Sequence, residues 1–147
     1  MRSLLFLVAA LAVLSISCAS DDDYLATEDA QAIVKASHFG IGPVFMTAKI
    51  TQGDAALRRI MKKDDAIKYL IPIFEKASPE GKCYALIGFH LLAPDYFERS
   101  RKRMSPWNSA KIKTVAGCIV GDATVAEVVQ AIREGRYDDE VLGKNRG

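Results

Sequence analysis

The chain has 147 residues, of which 20 are Lys or Arg and 18 are Asp or Glu, so its formal net charge is +2 at pH 7. A domain dedicated to nucleic-acid binding is strongly basic, so this near balance argues against nucleic acid as a partner. The length fits one domain.

Residues 1–17 have the three-part pattern of a secretory signal peptide. Arg2 supplies the positive charge, residues 4–14 form an apolar run, and mostly small residues follow. A run of about eleven residues is shorter than the roughly 17–25 that a membrane span needs. We therefore predict that residues 1–17 are removed on export, which leaves 19 basic against 18 acidic side chains and a net charge near +1.

The residues Ser15-Ile16-Ser17-Cys18 resemble the lipobox of bacterial lipoproteins, in which a cysteine is lipidated and becomes the new N-terminus. The resemblance implies lipidation of Cys18 and membrane anchorage in the periplasm. Because the residue directly after Cys18 is Ala19 and not Asp, it also implies the outer rather than the inner membrane. Position 15 holds Ser where the family pattern prefers Leu. The alternative is ordinary signal-peptidase cleavage after Ser17 or Ala19.

The mature chain divides by composition into a tether, a domain and a tail. Residues 18–26 are polar and predict a tether, residues 27–143 a single helical domain, and residues 144–147 a disordered tail. Thr27 is a good N-cap for a short helix that runs to about residue 37. Two glycines and a proline at 40–43 indicate a turn, and a short extended segment is predicted at 44–50.

Three helices follow this turn. Residues 55–63 combine an apolar stripe with a basic outer face, and the next helix, which begins at 64–65, contains Pro72, so we expect a kink or a split there. Residues 78–93 begin with Ser78, a good N-cap. From residue 84 to 93 the only polar side chains are Tyr84 and His90. A helix without a solvated stripe belongs in a core.

The remaining elements predict a mainly α fold. Residues 95–104 form a helix with a basic outer face, residues 111–115 alternate as a half-buried strand, and the capping box Thr124–Glu127 opens a last helix that ends at Gly135. We expect a compact helical-hairpin domain with one or two short extended segments. It is HEAT-like in its helix pairs but too short for a solenoid, because no repeat is present.

Two segments resemble a group of uncharacterised exported bacterial proteins. They are G-K-C-Y-A-L-I-G at residues 81–88 and G-C-I-V at residues 117–120. The resemblance covers about residues 40–137. It implies core packing and a disulfide, and it brings no known activity.

The three cysteines are consistent with export. If Cys18 carries lipid or is removed, Cys83 and Cys118 remain as an even pair, which favours a disulfide in an oxidising compartment. The alternative is two reduced cysteines that pack as small apolar side chains. A metal site of Cys83, His90 and Cys118 lacks a ligand-spacing signature, so we expect neither a metal nor another cofactor.

No catalytic motif is present in the sequence. His38 and His90 are the candidate general bases if the protein is a small envelope enzyme. Four basic residues of the 95–104 helix are candidates for contact with anionic lipid head groups, or else they form a solvated helix face: Arg99, Arg101, Lys102 and Arg103. The sequence favours a lipid-anchored envelope domain without catalytic activity that binds an unknown protein partner. An inhibitor or immunity-type protein is a further alternative.

Overall fold

The computed structural model describes residues 19–44 and 49–144. Within these ranges the chain has eight α-helices and one two-stranded antiparallel sheet, so the predicted mainly α fold is confirmed. In this part of the chain, no helix is long and apolar enough to cross a membrane. The predicted signal peptide and Cys18 lie outside the described residues.

The elements follow one another in a simple order. The first six helices are α1 (Asp21–Leu25), α2 (Glu28–Val34), α3 (Gln52–Met61), α4 (Ala66–Lys76), α5 (Pro79–Leu92) and α6 (Pro94–Arg103). A 3₁₀ turn at Ser105–Trp107 leads to the strands β1 (Lys111–Ala116) and β2 (Ile119–Thr124). The last helices are α7 (Val125–Arg133) and α8 (Asp138–Val141).

Helix α5 is the centre of the core, as predicted. Ser78 caps it through a hydrogen bond from the Gly81 amide to the Ser78 hydroxyl at 3.1 Å. Every residue from 81 to 89 except Lys82 is buried. The helix packs against α2, α3, α4, α6 and α7, and its N-terminal part also contacts β1. A helix covered on so many sides needs apolar residues all round.

Residues 21–25 of the predicted tether form helix α1. Helix α1 begins after Ser20, whose amide donates to the Asp23 carboxylate at 2.9 Å, so the two residues form a capping box. The Tyr24 ring lies edge-on against Tyr69 of α4, with 4.8 Å between the ring centroids. This contact joins residues far apart in sequence, which a polar composition does not reveal.

Helices α3 and α4 also differ from the prediction. Helix α3 begins three residues early, because the Thr51 hydroxyl accepts a hydrogen bond from the Asp54 amide at 3.1 Å and caps the helix there. Helix α4 is not split, since it continues through Pro72 to Lys76. Pro72 is buried and lacks an amide hydrogen, so the ladder bond to Lys68 is missing while the helix remains continuous.

The sheet is a hairpin whose first strand was predicted and whose second was not. Ala116 pairs with Ile119 across a two-residue turn, in which Gly117 has a φ of 57° that suits glycine. The remaining pairs continue in antiparallel register as far as Lys111 and Thr124.

The other edge of β1 is occupied by the segment that follows α2. The Phe39 amide donates to the Lys113 carbonyl, and the Phe39 carbonyl accepts from the Val115 amide, both at 2.8 Å. Strand β1 is therefore the central strand and β2 lies at the edge. The extended segment predicted at 44–50 is described only at its ends, where Val44 and Lys49 form a single bridge, because residues 45–48 lie outside the described residues.

Candidate functional site

A buried hydrogen-bond network fixes the segment between α2 and α3. The Tyr84 hydroxyl oxygen accepts from the Gly40 amide at 3.0 Å and lies 2.8 Å from the Thr51 hydroxyl. The Thr51 hydroxyl also lies 3.1 Å from the Gly40 carbonyl oxygen. Burial raises the pKa of Tyr84, so its hydroxyl keeps its proton and remains a hydrogen-bond donor. The buried Tyr84 hydroxyl of α5 therefore holds the segment between α2 and α3 in place.

Asp54 holds the same segment from a second side. Its carboxylate is 0% exposed, and it accepts from the Gly42 amide at 2.8 Å and from Arg58 Nε at 2.6 Å. Gly42 has a φ of +88°, a conformation that other residues rarely adopt. A buried carboxylate is stable only with such partners, so Asp54 ties this turn to the first turn of α3.

An open groove of about 890 Å³ lies beside this segment, bounded by α2, the start of α3 and the hairpin. This volume is within the usual range for small-molecule sites. Much of its described lining is apolar: Ala32, Ala36, Val44, Ile50, Val115 and Val120. Such a surface suits an apolar ligand.

The groove also carries positive charge. Lys35 at the end of α2 and Lys49 before α3 both line it and are exposed. Neither lysine forms an ion pair with any described residue, whereas Arg59, which also lines the groove, is paired with Asp29 at 2.7 Å. Glu28 also lines the groove, so the two lysines against this one carboxylate leave a net charge of +1 beside the apolar lining, which favours a ligand with an anionic end.

His38 is the candidate catalytic residue that reaches this groove. Its ring is exposed, and Nδ1 lies 2.8 Å from the Ser37 hydroxyl. Among the described residues no carboxylate contacts the His38 ring. A general base is normally oriented by such a group, so the geometry at His38 fits ligand contact better than acid–base catalysis.

His90 lies elsewhere, at the last turn of α5. Its Nε2 is 3.4 Å from the Asp138 carboxylate, and its ring packs edge-on against Phe97 with 5.1 Å between centroids. It does not line the groove. The pair connects α5 to α8, so its evident role is structural. In the described part of the chain no three His, Cys, Asp or Glu side chains are grouped as metal ligands.

The structure does not contain the predicted disulfide between Cys83 and Cys118. Both are free thiols in the described chain: Cys83 is fully buried in α5, whereas Cys118 is exposed in the hairpin turn. Helix α5 meets β1 near Lys113, whose amide lies 3.4 Å from the Glu80 carboxylate, several residues before the turn. Burial raises the pKa of the Cys83 thiol far above its usual range, so this thiol stays protonated.

The predicted head-group cluster on α6 is partly neutralised. Arg101 is paired with Glu98 at 2.6 Å, and Arg103 makes a two-pronged contact with Glu75 at 2.5 and 2.8 Å. Arg99 lies over the Tyr96 ring, 4.4 Å from its centroid. Within the described chain only Arg99 and Lys102 of this cluster lack an acidic partner, which weakens the attraction to an anionic surface.

Neither the groove lysines nor the Tyr84 network was predicted from the sequence. A tyrosine in an otherwise apolar helix signals a buried hydroxyl that needs a partner, and Asp54 four residues before Arg58 signals a helical ion pair. The groove itself has no such local signal. No protein-family model, curated protein or solved structure was found to match this chain.

Proposed function

We propose that the chain is an exported, lipid-anchored module of the cell envelope that binds a ligand in the groove between α2 and α3. The observation that carries the proposal is the apolar lining beside Lys35 and Lys49, which have no acidic partner among the described residues. An apolar lining buries a hydrocarbon chain and the lysines attract an anionic end. The ligand class that fits is a long-chain acyl anion.

The geometry of the groove supports binding rather than catalysis. The segment beside the groove is held by Tyr84 and Asp54, both buried, so its shape is set before a ligand arrives. A preformed site loses less entropy when it binds. The histidine at the groove has no orienting carboxylate among the described residues.

A titration with a fluorescent long-chain fatty acid tests the groove. We expect saturable binding with one ligand per chain. The double variant Lys35→Glu/Lys49→Glu should bind at least about tenfold more weakly, because two attractive charges become repulsive. Arg99→Glu/Lys102→Glu on α6 is the matched control, since it also reverses two exposed charges that lack an acidic partner in the described chain, and it should bind normally.

Three outcomes of this titration would count against the proposal. They are no saturable binding, equal affinity in the double variant, and equal affinity for the corresponding fatty alcohol, which lacks the anionic end. Failure of the fatty acid together with saturable binding of an acidic peptide would move the proposal to a protein partner.

The anchor is tested separately by intact mass spectrometry of membrane and soluble fractions from a two-membrane bacterium. We expect a membrane-bound chain that begins at Cys18 and carries acyl mass. Alkylation of the native chain should add one label, at exposed Cys118, and none at buried Cys83. A soluble chain cut after Ser17 or Ala19 would contradict the proposed anchor. Two thiols that can be alkylated only after reduction would show that the disulfide between Cys83 and Cys118 forms.

A further inference from the structure

The free edge of β2 carries an unsatisfied row of backbone groups. In the hairpin register, Ile119, Gly121 and Ala123 direct their amides and carbonyls to β1, so the alternate residues Val120 and Asp122 direct theirs away from it. The bonds from Phe39 to Lys113 and Val115 on the opposite edge of β1 fit this phase. Among the described residues nothing bonds to the outward backbone groups of Val120 or Asp122.

Two large apolar side chains project from the same strand. Ile119 is 72% exposed and Val120 is 53% exposed, the highest values among the large apolar side chains of the described chain. Natural proteins usually shield an edge strand with charge, and β2 has a single charged residue, Asp122. That carboxylate already has a partner in its own hairpin, since Lys113 Nζ lies 3.3 Å from it.

We propose that β2 pairs with β2 of a second copy of this chain, antiparallel, about a two-fold axis at Gly121. This register sets Val120 of each copy opposite Asp122 of the other, so the outward backbone groups of these two residues are hydrogen bonded in each copy. An axis at Asp122 would place the Asp122 carboxylates of the two copies opposite each other. An axis at Val120 would leave Asp122 of each copy without a pairing partner in β2 of the other copy. Charge and hydrogen bonding therefore both favour Gly121.

Side-chain size favours the same register. A Cβ at Gly121 would meet only the Thr114 hydroxyl at 3.8 Å, so the face of the strand is open there. With the axis at Gly121, Ile119 of one copy lies opposite Ala123 of the other, and the glycine leaves room for the isoleucine to lie across the pair. The product is a four-stranded sheet with β1 of each copy next to its own β2. So short an interface is expected to give a weak dimer, of micromolar affinity or weaker.

Cysteine cross-linking tests both the pairing and its register. The full-length chain carrying Cys18→Ser and Cys118→Ser has one remaining cysteine, buried Cys83. In this background Gly121→Cys places a thiol on the axis, directly opposite its copy, and mild oxidation should yield a disulfide-linked dimer. Asp122→Cys is the matched control. In the proposed register, position 122 of one copy is offset by two residues from position 122 of the other. The two Cα atoms are then about 7–8 Å apart, which is too far for a disulfide.

Sedimentation velocity tests the pairing without a new thiol. The unmodified chain should shift from monomer to dimer as its concentration rises, and Asp122→Pro should abolish the shift, because proline removes the outward amide while the bonds to β1 remain. A chain that stays monomeric at all concentrations overturns the proposal. So does a dimer that persists in a folded Asp122→Pro variant, or cross-linking of Asp122→Cys as readily as Gly121→Cys. If Asp122→Pro does not fold, the cross-linking result alone decides.

Discussion

Replacing Asp54 with alanine is expected to lower the free energy of unfolding by about 3 kcal/mol, the lower end of the range for breaking a buried ion pair. The Asp54 carboxylate is completely buried, whereas the Arg58 side chain is 22% exposed and regains some hydration when its partner is lost. The Gly42 amide would also lose its acceptor in a buried site, which itself costs about 1–3 kcal/mol. Urea denaturation followed by circular dichroism measures the loss.

Asp29→Ala is the matched control, since Asp29 also pairs with an arginine of α3. That pair joins Arg59 Nη2 to the Asp29 carboxylate at 2.7 Å, but the Arg59 side chain is 58% exposed. An exposed ion pair contributes about 1 kcal/mol or less. Asp29→Ala should therefore cost less than about 1 kcal/mol. Equal losses in the two variants would show that the buried network does not fix the loop beside α3.

Much of the helical architecture could be predicted because its signals are local. Ser78 and Thr124 are N-caps whose side chains bond to amides three residues on, and both helices begin where these residues predict. Gly135 has a φ of 70° just after α7, as a C-terminal glycine should. The apolar residues of α5 likewise predicted the centre of the core.

The elements that were missed depend on contacts between distant residues. Helix α1 has five residues, too few to be stable alone, and it is held against α4 by Tyr24 on Tyr69. Strand β2 exposes both Ile119 and Val120, so it lacks the alternation of a half-buried strand. Its turn is Gly117-Cys118, which has glycine first but lacks the Asn-Gly or Asp-Gly pair that gives the strongest hairpin signal.

The candidate site was the least predictable part of the chain. Its lining comes from α2, the loop before α3, α3 itself and both strands, so no window of sequence contains it. His38 was identified as a candidate, but Lys35 and Lys49 are isolated surface lysines in the sequence. Only the folded chain shows that they border one apolar groove. The predicted disulfide is absent for the same reason. A count of cysteines leaves Cys83 and Cys118 as a pair, but it does not reveal that Cys83 is buried while Cys118 is exposed.

Replacing Gly81 with alanine tests what the G-K-C-Y-A-L-I-G segment does in the fold. A Cβ at Gly81 would overlap the carbonyl oxygen of Ile33 in α2 and lie 2.7 Å from the Ala77 Cβ. A backbone carbonyl cannot rotate away, so α5 and α2 would have to separate. Overpacking costs about 1–3 kcal/mol or more, against about 1 kcal/mol gained in helix propensity. We expect a net loss of about 2 kcal/mol in the same denaturation measurement.

Gly88→Ala makes the same change two turns later on the same buried helix. There the new Cβ would meet a terminal methyl group of Leu70, which can change its rotamer. The loss should be about 1 kcal/mol or less, because the gain in helix propensity offsets part of the repacking. A larger loss at Gly88 than at Gly81 would mean that contact with α4, rather than the approach of α2, requires glycine in this segment. The expected order would show that Gly81 is needed because backbone meets backbone there.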